Sequence, residues 1–167
     1  MATYNSNIWN LKLDSAQHET TTVFGKVAIP AGTSVTSSDT LNLFRARSGT
    51  AVVSFWLYTN QWATTAGEGV VGHYATATGT AIDEDSISVD VDAEDAGLTM
   101  SFADALATPF LPVSQDYFVA VNVGTITDPV SAGEKYLLFG AVLARPGDTV
   151  TSVYTWNGEA SGSLSDE

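Results

Sequence analysis

The chain has 167 residues, no cysteine, and nineteen acidic against six basic side chains, a formal net charge of −13. A chain of this length can form one domain that buries roughly 70% of the surface it exposes when unfolded. The missing cysteines exclude disulfides and thiolate metal sites, and the acid excess repels phosphate backbones and anionic membranes, so neither nucleic acid nor membrane is an expected partner. The opening MATYNSNIWNLKLD has no basic leader and no apolar run of signal-peptide length, and no segment approaches the roughly 20 apolar residues of a bilayer span. A soluble protein made in the cytoplasm is expected, with the acidity keeping a β-rich chain from associating edge to edge.

In chain order, residues 1–20 read as an N-terminal arm or short strand, with Ile8, Trp9, Leu11 and Leu13 in loose alternation before a polar break. Residues 23–59 then read as strand, turn, strand, turn, strand. Val23, Gly25, Val27 and Ile29 alternate with Phe24, Lys26 and Ala28, the two-residue period of a strand lying half against a core. Pro30 has no N–H for a sheet ladder and Gly32 can adopt positive φ, so Pro30 and Gly32 mark a structural turn. In the next strand Val53, Phe55 and Leu57 form the inward row. Ser54, Trp56 and Tyr58 form a second face, whose two large aromatics a merely solvated surface does not need.

A turn carrying Trp62 follows, then a strand over 69–75 and a Gly/Thr loop. Residues 86–92 show the cleanest alternation, with Ile87, Val89 and Val91 on one side and Ser86, Ser88, Asp90 and Asp92 on the other. Leu98, Met100 and Phe102 repeat the pattern. Pro109 and Pro112 make 103–113 a connection along an edge. Tyr117, Val119, Val121 and Val123 form a further strand, and 136–144, apolar on both faces, reads as a central strand covered from both sides. A turn at 145–148, a last strand over 150–156 and a polar tail over 158–167 complete the chain. Helical three-and-four spacing is nowhere sustained. The expected fold is all-β, a single-domain antiparallel β-sandwich over 21–157 with about eight to ten strands, jelly-roll-like ahead of other Greek-key arrangements.

Reactive constellations are few. Gly67, Gly69 and Gly72 match a dinucleotide-loop spacing but lead into the β-like His73-Tyr74-Ala75 rather than a helix, and so read as a flexible strand entry. His18 and His73 stand without a motif and read as structural or hydrogen-bonded residues. No nucleophile elbow, Walker sequence or histidine pair occurs, and nineteen acids make carboxylate pairs inevitable, so pairing alone does not point to a glycosidase. The run Asp83, Glu84, Asp85, Asp90, Asp92, Glu94, Asp95 could offer oxygens to calcium, with Asp90, Asp92 and Glu94 on one strand face. It lacks an Asp-x-Asp-x-Asp-Gly loop and reads first as a solvated acidic face. No catalytic residue, cofactor or metal is predicted.

The run Lys26-Val27-Ala28-Ile29-Pro30-Ala31-Gly32-Thr33-Ser34-Val35 resembles the strand, Pro-Ala-Gly corner and following strand near the start of many tailed-bacteriophage capsid decoration (cement) proteins. Later stretches agree in layout: Gly72-His73-Tyr74-Ala75 with the Thr/Gly/acid stretch after it, Asp116-Tyr117-Phe118-Val119, and Ser131-Ala132-Gly133-Glu134-Lys135-Tyr136. The resemblance covers residues 23–145 and leaves the N-terminal twenty residues and the tail without a counterpart. It implies a non-enzymatic β-sandwich that docks on the major capsid protein lattice outside the head, reinforces it against packaged DNA, and is a homo-oligomer, a trimer first. It carries over no catalytic residue, only the structural role of Pro30 and Gly32. Trp56, Tyr58 and Trp62 are then the candidate capsid or partner contacts, with the Ile8-Trp9 arm next. The alternative is a carbohydrate-binding module or phage adhesin in which Trp56, Tyr58, Trp62 or Trp156 stacks on sugar rings.

Overall fold

The computed structural model describes residues 2–13, 20–77, 80–88, 91–94, 96–102 and 115–145, with the backbone alone for residues 12, 83–85, 88 and 97–102. Among the described residues ten strands run in order: β1 (Thr3–Asn5), β2 (Lys12–Leu13), β3 (Thr20–Ile29), β4 (Thr40–Ala46), β5 (Ala51–Thr59), β6 (Ala63–Tyr74), β7 (Ala81–Ser88), β8 (Gly97–Phe102), β9 (Tyr117–Pro129) and β10 (Lys135–Ala144). They form two sheets, β3-β10-β5-β8 and β1-β4-β9-β6-β7, with β2 also on β4. Strands β3 and β10, β4 and β9, β5 and β8, and β6 and β7 pair antiparallel. The chain is therefore one long hairpin folded at β6/β7. Rolling it brings β5 against β10 and β6 against β9, which is a jelly roll.

Alternation builds the core. Val23, Val27 and Ile29 of β3, Phe55 and Leu57 of β5, and Leu137, Phe139, Ala141 and Leu143 of β10 are buried from one sheet. Leu41 and Phe44 of β4, Val71 of β6 and Tyr117, Val119, Val121 and Val123 of β9 meet them from the other. Two expectations need correction. Val53 is only half-buried and Val52 takes its inward place, because the β5–β10 register shifts between Val142 and Leu143, and an extra residue at a bulge reverses strand parity. The strand expected at 86–92 begins earlier, at Ala81, and its described part runs to Ser88. Val91 and Ala93 lie beyond it, donating their N–H groups to Gly69 O and Gly67 O at 2.8 and 2.7 Å.

That contact explains the glycine spacing. Gly67 lies inside β6, not at a flexible entry, and a Cβ there would stand 2.9 Å from the Ala93 backbone. The missing side chain lets the 91–93 segment lie against the strand. The edges of the two sheets at β4 and β3 are stitched by the N-terminal arm: β1 and β2 run parallel to β4, while Ser6 bridges Val27 of β3. Asp39, itself buried, accepts Ala2 N on Oδ1 and the Thr36 backbone N–H and hydroxyl on Oδ2.

The turn after β3 is closed by Thr33 N donating to Pro30 O at 3.2 Å, with Gly32 at φ +83°. This is the positive φ that glycine supplies at the third position of a type II turn. A Cβ at Gly32 meets nothing within 4 Å, so a side chain there is opposed by backbone strain alone. Gly32→Val is expected to lower unfolding free energy by about 1 to 3 kcal/mol. Urea titration reads it, and a variant as stable as the parent would refute the role. The expected connection at 103–113, the last strand at 150–156, the tail, His18 and Trp156 lie outside the described residues.

Candidate partner-binding face

The outward side of the β3-β10-β5 layer is unusual for an acidic chain. Antiparallel register aligns Phe24 and Trp56 on either side of Gly140, and Lys26 and Tyr58 on either side of Leu138. Gly140 is the seat of this face, because a Cβ there would collide with Nε1 of Trp56 and approach its Cε2 to 2.6 Å. The indole thus settles over the central strand and meets the Phe24 ring at 6.0 Å between centroids. Phe24 is 62% exposed. Tyr58 stacks on Tyr136 at 6.1 Å and 26°. Lys26 Nζ lies 5.1 Å from the Tyr136 ring centroid and 2.8 Å from Glu134 Oε1. Asn60 clips the end of the layer, accepting Tyr136 N–H at 2.8 Å and donating to Glu134 O at 2.9 Å.

The five residues singled out from sequence divide between surface and core. Trp56 and Tyr58 are half-buried on this outer face, as strand parity requires. Trp62 is 1% exposed and belongs to the core. Its segment joins β5 of one sheet to β6 of the other, so the chain crosses the end of the sandwich there and the indole closes the core. Ile8 also packs against the core, where a Cβ at Gly25 would come within 3.1 Å of its Cγ1. Trp9 stacks on Phe118 of β9 at 5.1 Å, and the Arg45 guanidinium lies over the same Phe118 ring at 5.5 Å. Trp62 is therefore withdrawn from any contact surface, while Ile8 is half-buried against the core. Phe24, Tyr136 and Leu138 join Trp56 and Tyr58, and their signal was an apolar residue out of phase with a strand whose inward row is already full.

Elsewhere the polar groups are structural. His73 on β6 shares a hydrogen bond between Nδ1 and Ser86 Oγ at 2.5 Å and meets the Tyr117 ring edge-on at 4.8 Å. Burial lowers its pKa to about 4 and raises that of Tyr117, whose hydroxyl donates to Thr50 O at 2.8 Å. Buried Lys135 donates to Thr33 O and Gly133 O at 2.9 and 3.0 Å, tying the start of β10 to the turn after β3. A shallow depression lined by Gly67, Glu68, Val91, Asp92 and Glu94 is acidic. Among the described residues, no three His, Asp or Glu side chains converge as a metal would need. Chelator is expected to leave the melting temperature unchanged. A fall of several degrees in EDTA, reversed by calcium, would make ligands of Asp92 and Glu94.

The fold is a jelly roll whose β3-β10-β5 layer carries aromatic side chains on its outward side. No family model matches the sequence, and no curated protein matches it. Two solved structures share the fold. A chain of the capsid of Ralstonia phage GP4 superposes with a TM-score of 0.64 at 11% identity, covering 87% of this chain and 99% of that one. A chain of the cyanophage Pam1 capsid asymmetric unit gives 0.56 at 14% identity, covering 82% and 95%.

Proposed function

We propose that this chain is a non-enzymatic structural protein of a tailed-phage virion that binds the outside of the head and stabilises it. The observation that carries the reading is the extent of the match to the two phage capsid chains. They are covered over 99% and 95% of their lengths, so in both a subunit that is little more than this jelly roll is a capsid component. The Pro30-Ala31-Gly32 corner supports the same reading from sequence. The charge of −13 favours the outer surface over the side that faces packaged DNA. The partner is the major capsid protein lattice, on which the copies gather as a homo-oligomer, a trimer first. The test is to mix the purified chain with heads of its phage that lack it. The chain is expected to co-sediment with them and raise the temperature at which they release DNA. Heads that neither bind it nor gain heat resistance would overturn the reading. The pair of exposed Phe24 and half-buried Trp56 also suits a sugar ring, and glycan binding without head binding would replace a capsid role with a carbohydrate-binding one.

A further inference from the structure

None of the nineteen acidic residues falls in β3, β5, β8 or β10, although the other sheet carries Glu68, Asp83, Glu84, Asp85 and Asp128. Among the described strands the acids are confined to β6, β7 and β9 of the other sheet, and the acid at this face is Glu134. On the outward side of that sheet Phe24, Trp56, Tyr58, Tyr136 and Leu138 stand in register, and the nearby cation Lys26 is already paired with Glu134. A surface without net charge and furnished with rings meets an apolar partner without desolvating an unpaired carboxylate. From this charge segregation we infer that the outer face of β3-β10-β5 is the surface by which the chain sits on an apolar, uncharged patch of the capsid shell. The inference rests on the head-binding reading above.

The shell suits this face better than a second copy does, because the same patch meeting itself builds a two-fold dimer and not the trimer proposed above. Trp56 is the anchor, held over Gly140 in a fixed position, and Phe24 and Tyr58 extend the contact to either side. With no net charge on the face, whose Lys26 and Glu134 pair with each other, attachment is insensitive to salt. Phe24 points away from the core, so replacing it does not empty a packed site.

The test uses the full chain and its Trp56→Ala, Tyr58→Ala and Phe24→Ser variants. Ile82→Ser serves as the control, an exposed apolar residue of the other sheet. Thermal melts establish folding, sedimentation velocity gives the oligomeric state, and co-sedimentation with heads is run at low and high salt. The parent and Ile82→Ser are expected to bind equally and to change less than about 3-fold with salt. Trp56→Ala is expected to bind about 30-fold more weakly and Phe24→Ser about 10-fold, both folded. Folded variants that bind like the parent, or parent binding lost at high salt, would overturn the face while leaving the function standing. Oligomers dissolved by Trp56→Ala with head binding intact would make the face a contact between copies instead. Failure of the parent to bind heads would remove both the function and this partner.

Discussion

Trp62→Ala is expected to be among the most destabilising substitutions in the chain, by about 3 to 5 kcal/mol, the range for emptying a buried aromatic site. Trp62 is 1% exposed and closes one end of the sandwich, and its backbone N–H and carbonyl bond Ala93 and Val130 at 2.9 and 2.7 Å. Those backbone bonds survive the substitution, so the loss isolates the side chain. For a domain of this size it corresponds to a fall in melting temperature of about 10 °C or more. Trp62→Phe is expected to lose much less. Among the described residues the buried indole Nε1 has no hydrogen-bond partner, so the smaller ring gives up volume without stranding a polar group satisfied by any of them. Urea titration of the parent and both variants measures the series. A Trp62→Ala variant of parental stability would return this residue to the surface.

Acidification is expected to weaken the fold through His73. Its folded pKa is lowered to about 4 by burial, while in the unfolded chain it returns to about 6.5. Above pH 6.5 both states are neutral at this ring and it adds no pH dependence. As pH falls from there toward 4 the unfolded chain takes up a proton that the native state refuses, so stability drops through that window. The difference in pKa sets a scale of about 2 to 3 kcal/mol. His73→Gln removes the titration while keeping a polar group facing Ser86. Urea unfolding at pH 7 and pH 4 is expected to show the parent losing about 2 kcal/mol more than this variant, and the carboxylates, common to both, cancel in the difference. Equal losses would mean that the ring reaches water when charged.

The β class, the turn at Pro30 and Gly32, and the inward rows of β3 and β9 were legible in the chain, because a two-residue period and a proline without an N–H act over a few residues. The outward placement of Trp56 and Tyr58 followed from the same parity. Positions set by contacts distant in sequence were not legible. Val52 rather than Val53 turns inward because β10 imposes a bulge. Trp62 is buried because its turn changes sheets, which no local pattern records. Gly140 and Gly67 look alike in sequence, yet one seats an indole and the other admits a neighbouring backbone. Ile8 and Trp9 are adjacent, but one enters the core and the other lies on Phe118, since the arm runs between two sheet edges. Local periodicity by itself determined which residues could be inside. The rolled hairpin decided which were, because only long-range pairing brings β3 to β10 and leaves their outer rings on one face without net charge.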